Sequence, residues 1–476
     1  MFKEYDQYDA VGLAQLVRKG EVSPEQLLEE AIARVEQRDP ALNTVVNKLY
    51  DLGRDAIRAG LPDGPMRGVP FLLKDLHALC SGAVTSQGCR FFKDNLADHD
   101  TELVSRYKRG GLVIFGKTNT PEFGLTITTE PVLFGPTRNP WSRGYTAGGS
   151  SGGAAAAVAA GLVPAAHASD GGGSIRIPSS CCGVFGLKPT RGRNPQGPDR
   201  GEGWSGMSTE HAITRSVRDS AAMLDLTCGP DLGAPYFAEP SRQAYSSEVG
   251  ADPRRLRIAF ATRTPGGEKV APDCGQAVAE AAGLLESMGH RVEEAKLDFV
   301  PEELGPAFRT VIGGNTRVAI ESYAAKAGRP PSAEHFEKIT WLMYESGETA
   351  TAADYARAVQ VLHRTGRMVA RFFERYDLLL TPTLPRPPEK LGVFNMNTDD
   401  IEAYRSAVSL FTSFTAPFNA SGNPAMSVPL HWTSAGLPIG VQFAGRYGDE
   451  ATLLRLAAQL ERARPWFHRR PSVDMA

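Results

Sequence analysis

The chain has 476 residues, 42% of them hydrophobic, and its 52 Lys and Arg nearly balance 54 Asp and Glu. That length and composition support the sizeable core of one large globular domain. The near-neutral charge, with no long basic run, speaks against nucleic acid or an anionic membrane as partner, and no apolar run of about 18 residues or leader-like start suggests a membrane span or export. A cytoplasmic, reducing setting is therefore expected. The six cysteines fit it: Cys80, Cys89, Cys181, Cys182, Cys228 and Cys274 contain no C-x-x-C pair that would mark a zinc or redox centre. No metal and no other cofactor is implied.

In chain order, residues 10–19 and 24–37 have the periodicity of amphipathic helices, the second opened by Ser23-Pro24-Glu25 as cap and first turn. They belong to an N-terminal helical region, 1–64. Residues 65–215 hold the catalytic core. Its first strand is the apolar run Gly68-Val69-Pro70-Phe71-Leu72-Leu73-Lys74-Asp75-Leu76, and residues 112–115 form another. Residues 153–161 are alanine-rich and read as a buried helix, whereas Ile175-Arg176-Ile177 reads as a strand. A new strand over 256–261 follows a polar stretch and opens a mainly helical subregion, 256–375. Strands return at 378–383, 425–430 and 440–443 within 376–476, which ends in a helix. No repeat is evident, and residues 1–476 read as a single domain.

Chemistry concentrates in residues 146–193, where Ser150 and Ser174 each sit beside a run of glycines. Glycines leave backbone N–H groups bare and let a substrate come close. A hydroxyl next to free amide donors is what acyl transfer needs, a nucleophile and a hole for the oxyanion. Flexible Gly/Ser linkers would not flank a buried helix in this way. Upstream, Lys74 lies in an apolar run, and a buried ammonium is costly unless paired or neutral. To act as a base its pKa must fall from about 10.4 to about 7–8, which takes about 4 kcal/mol. The other reading of this lysine is a strand-end side chain that reaches solvent or pairs with Asp75.

These blocks resemble the amidase-signature hydrolases. The resemblance rests on Gly68-Val69-Pro70 with Lys74-Asp75, on Gly148-Gly149-Ser150-Ser151-Gly152-Gly153, on Asp170-Gly171-Gly172-Gly173-Ser174-Ile175-Arg176, and on Gly186-Leu187-Lys188-Pro189-Thr190-Arg191-Gly192-Arg193. The separation of the two serines, 24 residues, matches as well, and similarity continues to Gly436-Leu437-Pro438-Ile439-Gly440-Val441-Gln442. Ser179 and Ala147 stand where the family more often has alanine and proline, and neither replaces a reacting group. The resemblance implies an α/β fold, one mixed, mostly parallel sheet wrapped by helices. It implies Ser174 as nucleophile, Lys74 as terminal base and Ser150 as the bridge between them, reached through a cis Gly149–Ser150 peptide. It further implies an oxyanion hole from the backbone of Gly171, Gly172, Gly173 and Ser174, with Ser151, Asp170 and Arg176 in support.

Two competing motifs are present. Gly111-Leu112-Val113-Ile114-Phe115-Gly116-Lys117-Thr118 matches the phosphate-loop pattern, but its apolar middle reads as a strand ending in a turn. Gly148-Gly149-Ser150-Ser151-Gly152 matches a nucleophile elbow, which would need a buried strand before it and a catalytic histidine; residues 139–145 look loop-like. His363, His431 and His468 read as structural or surface residues, and His77 lacks a nucleophile to serve. Cys181 and Cys182 read as small hydrophobes behind the nucleophile loop.

The expected substrate is a small amide. Phe71-Leu72-Leu73-Lys74-Asp75-Leu76 and His167-Ala168-Ser169-Asp170-Gly171-Gly172-Gly173 resemble the subgroup that hydrolyses the cyclic dimer of 6-aminohexanoate. Aryl amides and carbamates are chemically near, since the same acyl-enzyme forms from them. A glutamine-dependent transamidase subunit, which would need a partner, is the alternative from another class. A non-catalytic module is disfavoured because all three reacting residues are present. Loop 119–129 and the helical stretch 311–317 are candidate walls of the pocket. No nucleic-acid or membrane partner is expected, and a homodimer is left open.

Overall fold

A computed structural model describes residues 2–472. Thirteen strands form two sheets: β1 (Val45–Lys48), β2 (Pro70–Lys74), β3 (Val113–Thr118), β4 (Arg138–Asn139), β5 (Ser142–Thr146), β6 (Ala165–Asp170), β7 (Phe185–Lys188), β8 (Thr209–Thr214), β9 (Arg257–Phe260), β10 (Arg291–Glu294), β11 (Leu378–Pro382), β12 (Ala425–Trp432) and β13 (Pro438–Gly445). Eleven of them make one sheet in the order β1-β3-β2-β6-β8-β7-β12-β13-β11-β9-β10, and β4 pairs with β5 alone. The sheet is mixed and wrapped by helices. Parallel pairing is confined to two blocks, β3-β2-β6 and β11-β9-β10, while the centre from β6 to β11 is antiparallel.

Local signals explain the elements around the core. The helix Pro24–Arg38 opens on a full capping box: Gln26 N–H donates to Ser23 Oγ (3.2 Å) and Ser23 N–H to Gln26 Oε1 (2.9 Å). Its apolar face, with Leu28 and Val35, joins a buried cluster with Leu13, Phe71, Val113 and Val158. A second cluster links Val428 and Val441 to Val278 and Leu454 of the helices Pro272–Ser287 and Glu450–Ala463. Burying each such side chain contributes about 1.5–3 kcal/mol. Among the described residues no helix is long and apolar enough to cross a membrane.

Two features differ from the sequence reading. Ile175-Arg176-Ile177 does not form a strand; Arg176–Cys182 is a short helix closed by Gly183 at φ 68°. The I-x-I pattern suggests alternation, but Asp170 decides the outcome by gathering the N–H groups of Gly173 (2.7 Å) and Ile175 (3.2 Å) at the helix entrance. Residues 142–146, expected as loop, form the exposed strand β5. All but the first two residues of the phosphate-loop pattern form β3, and a single 3-10 turn (Glu122–Gly124) follows, with no helix to bind phosphate.

The sheet order positions the site. β2 and β6 are parallel neighbours, with Leu72 beside Ala166. Their C-terminal ends, carrying Lys74 and Ser169-Asp170, therefore emerge on the same edge, where open α/β sheets bind ligands.

Candidate active site

Lys74 is the last residue of β2 and is fully buried. Its Nζ lies 2.7 Å from Ser150 Oγ and 2.9 Å from Ser169 Oγ. Burial pushes its pKa down from 10.5 to about 7, against the pull of the Glu210 and Asp170 charges. The reading of a lysine that reaches solvent or pairs with Asp75 does not hold. Asp75 accepts from Ser86 N–H (3.1 Å) and lies 3.9 Å from a different lysine, Lys117.

Ser150 is reached through a cis Gly149–Ser150 peptide. The turn fits against residues 119–129, which are largely buried rather than forming a surface loop. A Cβ at Gly149 would fall 2.4 Å from the backbone oxygen of Thr128, so only glycine fits there. Thr129 Oγ1 donates to Gly148 O (2.9 Å) and accepts from Gly152 N–H (3.1 Å), pinning both ends of the turn. Ser151 ties the turn to its neighbours. Its Oγ bonds the backbone O and N of Ser169 (3.2 and 3.3 Å), and its N–H donates to Ser174 O (3.3 Å).

Ser174 follows Gly171-Gly172-Gly173 and is half-buried. Its hydroxyl has no hydrogen-bond partner among the described residues, and its place beside Ser150 is set through the backbone contact to Ser151. Of the four backbone donors implied by the resemblance, Gly173 N–H is already committed to Asp170. The N–H groups of Gly171, Gly172 and Ser174 donate to no group among the described residues.

Beneath this loop, Asp170 and Arg176 form a fully buried pair with two contacts of 2.9 Å. Burial alone would raise the Asp170 pKa, but the Arg176 guanidinium holds the carboxyl well below its usual range. Arg176 also donates to Thr415 O (3.0 Å), Gln442 Oε1 (2.8 Å) and Asn419 Oδ1 (2.7 Å). This fork ties the glycine loop to β13 and to the helix Ala416–Ser421. Sequence reasoning missed Ser169, Thr415 and Asn419. Ser169 and Gln442 lie inside the segments that carried the resemblance, but their partners are remote in sequence.

The histidines do not build an elbow-type triad. His431 pairs with Glu280 (3.2 Å), His363 is exposed on the helix Ala352–Arg375, and His468 is exposed near the C-terminus. Cys181 and Cys182 are buried behind the turn, with Cys182 Sγ 3.4 Å from Ala147 O. A Cβ on Gly172 would meet Phe308 at 4.0 Å, and one on Gly171 would strike the Trp204 ring at 2.6 Å. Ser205 Oγ lies 2.8 Å from Tyr355 Oη, which accepts from Asn315 Nδ2 (3.0 Å), so the 311–317 stretch is tied to the segment that carries Trp204.

The Amidase family profile matches residues 26–454. The 6-aminohexanoate-cyclic-dimer hydrolase of Paenarthrobacter ureafaciens is 40% identical over 98% of this chain and 96% of its own. An acylamidase of Rhodococcus erythropolis is 35% identical, with 98% and 97% covered. A solved structure of 6-aminohexanoate cyclic dimer hydrolase complexed with substrate superposes with a TM-score of 0.93 at 39% identity, covering 98% of this chain and 99% of that one.

Proposed function

The chain belongs to the amidase family of hydrolases that act on amide bonds, and on that premise we propose that it opens a small cyclic or linear amide of an ω-amino acid, such as the cyclic dimer of 6-aminohexanoate, through Ser174, Ser150 and Lys74. The observation that carries the mechanism is the 2.7 Å contact between Ser150 Oγ and a buried Lys74 whose pKa is about 7. A neutral Lys74 takes the Ser150 proton as Ser150 takes that of Ser174, and Ser174 Oγ attacks the amide carbonyl. The oxyanion is held by the N–H groups of Gly171, Gly172 and Ser174. As the C–N bond breaks, Ser150 returns a proton to the leaving nitrogen and is reprotonated by Lys74. Water, deprotonated through the same relay, then cleaves the ester on Ser174. Ser151, Asp170 and Arg176 hold the loops in register.

The apolar wall of Trp204 and Phe308 beside the glycine run suits a polymethylene chain, and the relatives named for the cyclic dimer support the same choice. Aryl amides or carbamates are the second reading, because the same acyl-enzyme forms from them, and a relative named for acylamidase activity keeps open-chain amides within reach. The chain is proposed to work alone, without metal, nucleotide, nucleic acid or partner protein. The test is purified protein treated with chelator and given the 6-aminohexanoate cyclic dimer, an aryl amide and a carbamate. Turnover of the cyclic dimer is the expected result. Turnover of the others alone would retain the mechanism and replace the substrate, and glutamine hydrolysis only with an added partner would favour the transamidase.

A further inference from the structure

Behind Lys74 lies a buried group of ionisable side chains that the proton relay does not use. His167, on β6, accepts the backbone N–H of Lys74 at Nδ1 (3.2 Å). That contact leaves Nε2 to carry the ring proton, and Nε2 lies 2.8 Å from Glu210 Oε2. The imidazole is thus fixed in one tautomer between the strand end and a carboxylate. Glu210 stands opposite Ser169, the second hydroxyl on Lys74 Nζ, in the β6–β8 register. Its other oxygen faces His77 Nδ1 at 3.9 Å, and neither of these two buried atoms has a hydrogen-bond partner among the described residues.

We infer that Glu210 and His167 form a positioning dyad for the terminal base: His167 fixes the backbone that carries Lys74, and the Glu210 carboxylate sets the charge that the lysine faces. The inference rests on the reading of Lys74 as base. A relay lysine must both take up and return a proton, and desolvation alone drives it towards permanent neutrality. Two carboxylates oppose that drive, Glu210 and Asp170. Asp170 is matched by Arg176 in a bidentate pair, whereas Glu210 has only the His167 ring N–H bonded to its carboxylate. The Arg200 charge also acts on Glu210 and on His77. On the lysine's own strand, Asp75 is engaged by Ser86 and lies near Lys117. Glu210 is therefore the less compensated of the two charges that Lys74 feels.

Glu210→Gln separates the two roles, since its amide oxygen still accepts from His167 while the charge is gone. The pH dependence of kcat/KM on a nitroanilide amide, or on the cyclic dimer, is the readout. The acid limb should move to lower pH by about one unit, because losing the negative charge makes Lys74 neutral sooner. Glu210→Asp should restore the limb towards its original position. An unmoved limb in Glu210→Gln would overturn the tuning role. His167→Leu provides the second test, independent of whether Glu210→Gln folds: it offers neither an acceptor to Lys74 N–H nor a donor to Glu210. Its kcat should fall about tenfold or more with KM little changed; an unchanged kcat would overturn the positioning role. Lys74→Arg run in parallel distinguishes the failures. If that variant is active, the base reading itself is wrong; if it is inactive while both other variants behave as the parent, only the dyad is.

Discussion

At the scale of single residues, the account turns on one amine held neutral. In the proposed mechanism Lys74 works unprotonated, so kcat/KM should climb with pH through about 7 and level off above it. Lys74→Arg should lower kcat by about a thousandfold or more, since a guanidinium stays protonated at every accessible pH; the measurement is a pH series with both proteins. Near-parental rates in the arginine variant would leave the lysine only a structural part. Lys74, Ser150 and Ser174, the proposed relay, stand out in the sequence because each sits in a marked pattern: a lysine ending an apolar strand, and serines among glycines. Ser169 and Glu210 were not legible. Their places come from strand pairing, β2 with β6 and β6 with β8, and no local pattern announces a partner 95 residues away, as Ser169 is from Lys74. The engagement of Gly173 N–H by Asp170 is not legible in the glycine run either, because it is a feature of how the loop folds.

At the scale of elements, the turn at Ser150 and the loop 119–129 act as one piece. Gly124 has φ 69°, and a Cβ there would sit 3.0 Å from both Ser150 Oγ and Leu76 Cδ2. Gly124→Ala should therefore displace the Ser150 hydroxyl from Lys74, with about 1–2 kcal/mol of added backbone strain. Activity should fall about tenfold or more while circular dichroism keeps the parental signature; full activity would mean that Ser150 has room the structure does not give it. The wall beside the glycine run is also built with strain. Trp204, Ser205 and Gly206 are successive left-handed residues at φ 52°, 51° and 77°, a conformation held where a side chain must be aimed. Trp204→Ala should raise KM for an apolar amide more than it lowers kcat, read from initial rates. The sequence pattern located β2, β3, β9, β11, β12 and β13 and the Ala-rich helix, and left β1, β6, β7, β8 and β10 unplaced. It failed at Ile175–Ile177, where a carboxylate cap overrode an alternating pattern, and at β5, whose pairing with β4 needs a turn rather than an apolar face.

At the scale of the molecule, the sheet brings together chemistry that the chain keeps apart. Lys74, the two serines, and the Thr415, Asn419 and Gln442 groups that brace Arg176 come from segments spread across more than 360 residues, and the order β2-β6-β8 with the return strands β12 and β13 makes them neighbours. The mixed sheet and its helical wrapping were implied by resemblance, whereas the antiparallel centre follows from pairings no spacing reveals. The central claim is that this assembly serves a nucleophile at Ser174. Its most direct measurement is peptide-level mass spectrometry after reaction with a fluorophosphonate, on the parent protein, Ser174→Ala and Lys74→Arg. The account predicts one covalent adduct on Ser174, none in Ser174→Ala, and strongly slowed labelling in Lys74→Arg. An adduct on Ser150 or Ser151 with Ser174 unlabelled would contradict it.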